Sequence, residues 1–320
     1  IGATIALPQL LRHGYDKVMV TGVVQAGSSL GILIPPSVVL VLFAMIARAP
    51  VIDLWLAGIG PGILMAILFA VYVYVRCRLQ PDLGPALPEE ERREITGAEK
   101  FALLRAGLLP LMIFFAMMTL FMTGVTSLVE SSAVGALLSV GAAWWAGNLN
   151  RNVIEESSRN TLAISCMFLW IILGALCFSS VYDGLGAVKA VKALLVDTWD
   201  FSPWTILILM LLSFVVMGMF LDDTAMLVIV APLYIPLVKA LGFDIVWFGI
   251  LYTITCQLAY ITPPFGYNLF LMRAMAPPEI TLMDIYRSII PFFFLMVLTI
   301  IILMIFPQIA LWLPSLYRGS

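Results

Sequence analysis

The sequence predicts an all-α polytopic membrane protein built from two inverted repeats, with re-entrant hairpins and broken helices. Three observations predict it. Of the 320 residues, 62% are hydrophobic and only 11% charged, a composition that belongs in a bilayer rather than in water. An uncharged run from Val18 to Ala47 is long enough to cross a membrane, yet it contains Gln25 to Ser37, Q-A-G-S-S-L-G-I-L-I-P-P-S, which stops a helix partway. The chain also repeats itself. One constant offset lays Pro8 on Pro236, Gly14 on Gly242, Asp16 on Asp244, Pro35 on Pro263, Pro36 on Pro264 and Pro50 on Pro278 without a gap. The partner stretch, Gln257 to Asn268, is again a Pro-Pro inside an apolar span, and paired interrupted segments point to the binding site of a secondary transporter.

Taken in order, residues 1 to 11 are apolar and too short to span, and the polar turn Arg12 to Lys17 ends them. They read as the returning arm of a first hairpin. The broken span 18 to 47 follows, then a connection Arg48 to Asp53 and a plain span from Leu54 to Val75. Arg76 to Arg105 is a long polar segment of mixed charge, read as a solvated linker between the repeats rather than a docking surface. The positive-inside rule puts it in the cytoplasm with Arg12 and Lys17, and the two spans between them make both placements agree. In domain terms, residues 1–75 are the C-terminal part of the first repeat, 76–105 the linker and 106–320 the second repeat.

In that second repeat, Ala106 to Met122 crosses outward, Thr123 to Trp145 returns, Asn148 to Arg159 is a cytoplasmic segment and Thr161 to Tyr182 crosses again. Asp183 to Asp200 reads as an amphipathic external segment. From Pro203 to Leu221 and from Ala225 to Val238 run two apolar arms around the polar tip Asp222-Asp223-Thr224; fourteen residues of helix make only about 21 Å, short of a core about 30 Å thick. They form a re-entrant hairpin, 203–238. The broken span 245 to 272 then crosses inward, which puts Asp244 on the opposite face from Asp16, and Ser288 to Leu313 crosses out to a periplasmic C-terminus. The repeat offset places the start of a first repeat far upstream of Ile1, so the N-terminal part of that repeat, with its hairpin tip, is expected before this sequence begins.

Several residues carry candidate chemistry. Asp222 and Asp223 are adjacent acids between apolar arms, where a cation would offset a burial cost of about 2.5 to 3.5 kcal/mol per carboxylate. Their alternative is capping the arm that follows. Gly27, Ser28, Ser29, Gly31, Thr262 and Gly266 complete the candidate cation set read from the residues, because hard cations such as sodium take hydroxyl and carbonyl oxygens and glycines let carbonyls turn, while Gly218 and Thr224 join it only through what the family resemblance described below implies. Pro35, Pro36, Ser37, Pro263, Pro264 and Asn268 are candidates for the solute, since helix N-termini after the proline pairs aim positive dipole ends at an anion. Arg273 either meets a solute carboxylate or snorkels to the interface. Glu130 is a further intramembrane acid, equally readable as a helix cap. The bland alternative for the small residues is close helix packing.

Other features carry less. Net charge is −2, and Cys77, Cys166, Cys177 and Cys256 lack metal or disulfide spacing. His13 is the sole histidine, which sets aside most zinc, haem and histidine-base chemistry. An intramembrane aspartyl protease would need paired acids in a Gly-x-Gly-Asp context, and Gly218-Met219-Phe220-Leu221-Asp222 lacks it, so no enzyme activity is expected.

G-Y-D-K, G-S-S-L-G-I-L-I-P-P-S, V-E-S-S-A-V-G-A, G-M-F-L-D-D-T-A-M-L and I-T-P-P-F-G-Y-N-L-F occur in that order along the chain. The ordered set resembles the large membrane subunit of tripartite ATP-independent periplasmic (TRAP) transporters over essentially the whole sequence. That resemblance implies an elevator-type ion-transporter superfold, sodium-coupled uptake of a small organic anion such as a dicarboxylate, and the bacterial inner membrane. It further implies two partners, a small four-helix membrane subunit and a periplasmic solute-binding protein. The alternative is an ion-coupled carrier or sodium/proton antiporter of the same superfold that needs no binding protein.

Overall fold

Prolines and short polar side chains set most helix boundaries. The structure is a computed structural model, and it describes residues 6–85, 97–194, 200–221, 223–263 and 266–319. Among these, regular structure is helical throughout. The chain divides into two compact units, one formed by residues 1–86 with 170–320 and the other by residues 87–169.

In the first unit, α1 (Leu7–Arg12) carries Pro8 in its first turn, and α2 (Lys17–Leu30) starts where the Asp16 carboxylate accepts from the Met19 amide at 2.8 Å. α2 stops at Gly31. The chain resumes as α3 (Val38–Ala47), capped by Ser37, whose hydroxyl accepts from Leu40 N at 3.2 Å. α4 (Val51–Leu79) follows from Pro50 as a single long helix.

The same plan recurs in the second copy. Gly14 and Gly242 both sit at positive φ, 78° and 83°, before an aspartate that caps the next helix. There α11 (Ile245–Tyr260) begins with Asp244 accepting from Val246 N and Trp247 N, breaks, and resumes as α12 (Tyr267–Met275). α13 (Leu282–Ile305) then takes the place α4 holds in the first copy. α9 (Pro203–Gly218), capped by Ser202, and α10 (Asp223–Ala240) are the two apolar arms. Every residue of α11 from Val246 to Tyr260 is buried, so this helix is the centre of the unit.

In the second unit, α5 (Gly97–Met122) and α6 (Leu128–Trp145) pack as a hairpin, with Gly135 of α6 against the Met117 thioether. α7 (Arg151–Gly184) begins in this unit and ends in the first, to which the short α8 (Ala187–Lys192), within the segment read as external, also belongs. Four helices are long and apolar enough to cross a membrane among the described residues: Val51–Leu79, Leu128–Trp145, Arg151–Phe178 and Leu282–Ile305. The protein is therefore an all-helical, polytopic membrane protein.

Three boundaries differ from expectation. The segment read as cytoplasmic, Asn148 to Arg159, is not a separate element from the crossing at Thr161: Asn150 caps Val153 N at 2.8 Å and Arg159 pairs with Glu155 at 3.3 Å, and α7 runs unbroken from Arg151. The last crossing starts at Leu282, not Ser288. A capping box between Thr281 and Asp284 fixes it there, so Arg287 lies inside the helix. That crossing also stops at Ile305, since Phe306 precedes Pro307 and residues before proline leave the helical region; the predicted extension to Leu313 is instead a separate helix, α14 (Gln308–Arg318). Of the linker 76–105, Arg76 and Arg78 belong to the last turn of α4, and residues 86–96 lie outside the described residues.

Candidate functional site

α13 serves as a ruler for the two broken helices. At its N-terminal end, Lys17 Nζ donates to Asp284 Oδ2 at 2.7 Å, so α2 begins there. At its C-terminal end, the Trp247 indole donates to the Leu303 carbonyl at 2.9 Å, so α11 begins there. Residues 284 and 303 are separated by about 28 Å of helix. α2 and α11, of 14 and 16 residues, are about 21 and 24 Å long. Each therefore ends past the middle of that distance, and its break falls well inside the length of α13.

The first break is stitched rather than open. The Ser28 and Ser29 hydroxyls donate to Val24 O and Ala26 O, both at 2.7 Å, while the amides of Gly31, Ile32, Leu33 and Ile34 donate back to Ser28, Ser29 and Leu30 carbonyls. Ser29 is buried, whereas Gly27, Ser28 and Gly31 are exposed and leave their oxygens accessible. Of the proline pair, Pro35 is buried and Pro36 exposed. Ser37 donates to the Ile32 carbonyl while capping α3, and its own carbonyl accepts the Trp55 indole at 3.2 Å. Its side chain thus shapes the break. The segment rests on α4, where a Cβ on Gly58 would come within 2.5 Å of the Leu33 carbonyl and one on Gly62 within 2.6 Å of Ile34.

The second break gathers other candidates. Thr262 donates from Oγ1 to Leu258 O at 2.6 Å and from its amide to Ala259 O at 3.0 Å. Gly218, at the end of α9, approaches Ala259 so closely that a Cβ there would lie 2.6 Å from the alanine methyl, which sets the end of α9 against the last turn of α11. Gly266 starts α12 at φ +39°, where any side chain would also meet Leu269 and the Thr262 carbonyl. Thr224, in the first turn of α10, and Asn268 are half-buried, and Pro263 is exposed. Asp222, Pro264 and the side chain of Asp223 lie outside what is described.

Two candidates have structural work of their own. Arg273 donates to the Ile280 carbonyl at 2.5 Å, tying the C-terminal end of α12 to the loop that follows. Glu130 forms a full capping box with Ser127, accepting from its amide at 2.7 Å and its hydroxyl at 2.9 Å. The backbone and hydroxyl donors of one serine account for that acid. The described residues contain no group of three His, Cys, Asp or Glu side chains able to hold a metal ion.

The sequence reading passed over two glutamines. Gln25 is 2% exposed and donates to Ser288 Oγ at 3.2 Å and Thr21 O at 3.4 Å, but its Oε1 has no partner; Gln257 is 0% exposed, and neither Oε1 nor Nε2 is hydrogen-bonded. An unmet buried donor or acceptor costs about 1–3 kcal/mol, so such amides need a reason. A signal existed. Gln25 and Ser29 occupy the places that Thr253 and Gln257 hold in the second copy, so each broken helix buries polar side chains at i and i+4 before its break.

Comparison with known proteins adds an independent finding. The family model described as the DctM component of the tripartite ATP-independent periplasmic transporter matches residues 2–309. The C4-dicarboxylate TRAP transporter large permease protein DctM of Pseudomonas aeruginosa is 29% identical over 317 residues, 98% of this chain and 71% of that protein. The ectoine TRAP transporter large permease protein TeaC of Halomonas elongata is 27% identical, covering 97% of this chain and 70% of its own length. The sialic acid TRAP transporter permease protein SiaT of Haemophilus influenzae is also 27% identical, over 95% of this chain and 48% of its own.

Proposed function

The chain belongs to the DctM component family of tripartite ATP-independent periplasmic transporters, and on that premise we propose that it performs sodium-coupled uptake of a small organic anion by an elevator mechanism. It is a transporter permease, working with a solute-binding protein and a small membrane subunit. The observation that carries the coupled-transport reading is the pair of broken helices that start at opposite ends of α13 and end within its length. Such a pair fits inverted repeats around a mid-membrane site.

The ends of the half-helices support the chemistry. The C-terminal ends of α2 and α11 bring partial negative charge toward a cation, and the N-terminal ends of α3 and α12 bring partial positive charge toward an anion. Ser28, Ser29, Thr224 and Thr262 supply oxygens for the ion, with Asp222 at the hairpin tip, while Asn268 stands in the first turn of α12 for the solute. The three named relatives carry solute names of different classes, C4-dicarboxylate, ectoine and sialic acid. All three solutes bear a carboxylate, and a carboxylate is what the helix N-termini favour.

The test is thermal unfolding of the intact permease in sodium and in potassium chloride at equal ionic strength, followed by uptake into proteoliposomes of succinate, ectoine or N-acetylneuraminate with the binding protein present or withheld. A ligand that binds only the folded state raises stability by RT ln(1 + [L]/Kd). The expected result is a sodium-specific rise that Asp222→Asn weakens, and uptake only with the binding protein. Sodium indifference, or uptake that persists without a binding protein, would replace this reading with the antiporter-like carrier.

A further inference from the structure

α4 and α11 run side by side in the same direction, because Gly249 packs against Leu54 near the start of both and the C-terminal half of α4, at Phe69, meets Phe292 in the N-terminal half of α13. Eight residues beyond Leu54 comes Gly62, against which Ile34 of the first break rests; eight residues beyond Gly249 comes Gln257. Gln257 therefore lies at the level of the first break. It also lies one turn before the end of α11, where the second break opens and the hairpin end at Gly218 closes on Ala259. A fully buried amide with both ends unpartnered thus stands one turn before the second break and at the level of the first.

From this geometry, and resting on the sodium-coupled reading above, we propose that the Gln257 side chain is a ligand of the coupled cation, bound through Oε1. An amide oxygen is a hard, neutral donor atom of the kind alkali and alkaline-earth ions accept. Its place within the last turn of α11 adds the negative end of the helix dipole. With Oε1 on the ion, the Nε2 hydrogens would stay available to an acceptor oxygen bound beside it. Ser29, which holds the equivalent place in the first copy, already donates to its own helix and keeps lone pairs for the same ion.

The experiment compares the intact permease in lipid nanodiscs with Gln257→Met, which keeps the shape and removes both polar ends, and Gln257→Glu, which keeps an oxygen. Unfolding midpoints are read against rising sodium chloride, with potassium chloride holding ionic strength constant. The expected result is a saturable sodium-specific rise in wild type and in Gln257→Glu, and none in Gln257→Met, whose midpoint in potassium equals or exceeds that of wild type. A sodium rise that survives in Gln257→Met overturns the assignment while leaving sodium coupling in place. No rise even in wild type overturns sodium coupling and the assignment with it. A Gln257→Met midpoint well below wild type in potassium shows that the amide is bonded within the fold, which also overturns the assignment.

Discussion

Replacing Gly58 by alanine tests whether α4 holds the first break in place. A methyl group there would lie 2.5 Å from the Leu33 carbonyl and 3.3 Å from Leu40 Cδ1. Ordinary contact distance is about 3.4 Å, so the carbonyl must retreat by about 0.9 Å. Leu33 is fully buried and has no side to yield to. Overpacking of this kind costs about 1–3 kcal/mol. Gly27→Ala is the matched control, since nothing lies within 4 Å of a Cβ at that helical position. Removing a helical glycine stabilises both variants by about 0.5–1 kcal/mol, so the difference between them isolates the overpacking, about 1–3 kcal/mol. The assay is the unfolding midpoint of each variant in nanodiscs, with the sodium response measured on the same samples. Gly58→Ala is expected to unfold below wild type and to respond more weakly to sodium than wild type, and Gly27→Ala, the steric control, to match or exceed wild type in stability. Equal stability of the two variants, with a wild-type sodium response in Gly58→Ala, would refute the claim that α4 sets the geometry of the break.

Asp53 and Arg318 join α4 to α14, with side-chain exposures of 4% and 56%. Arg318→Ala strands a buried carboxylate and is expected to cost about 3 kcal/mol, whereas Asp53→Asn leaves a solvated guanidinium and costs about 1 kcal/mol; denaturation of both variants checks the asymmetry. Ser127→Ala removes the α6 cap and should lower stability by about 1 kcal/mol, again read by denaturation. Glu130→Gln should leave the sodium-dependent stabilisation intact, and its loss would return Glu130 to the ion site.

Much of this fold was written in the punctuation of the chain. Asp16 and Asp244, Gly14 and Gly242, and the two proline pairs each force a local geometry that depends on no distant contact, so their spacing carried the repeat and both breaks. The helix ends near the membrane surface were less legible. Asn150 and the Thr281–Asp284 box extend α7 and α13 into polar segments that the sequence reading left outside the crossings, because capping side chains satisfy helix ends that composition alone cannot see. The site showed the same division. Serines and prolines announced the breaks, but burial decides their roles: Ser37 is consumed by its own loop, and Glu130 by Ser127. Gln257 was visible as a polar residue in an apolar span. Its significance is a lack of partners, which no sequence displays.

The two copies also share their hollows, which says where the repeat is enforced. A hollow of about 470 Å³ beside α2 and α4 is lined in part by Gly27, Leu30, Phe69 and Val73. One of about 660 Å³ beside α11 and α13 is lined in part by Thr255, Leu258, Val297 and Ile301, which are, in the same order, the repeat mates of those four. Only the leucine is the same residue in both. The helix directions and the break positions therefore fix the cavity walls, and the side chains within them are free to diverge. In the second copy, α9 adds Ile208, Leu211 and Val215 to the wall, so the hairpin arm that approaches the break at Gly218 also closes this apolar hollow.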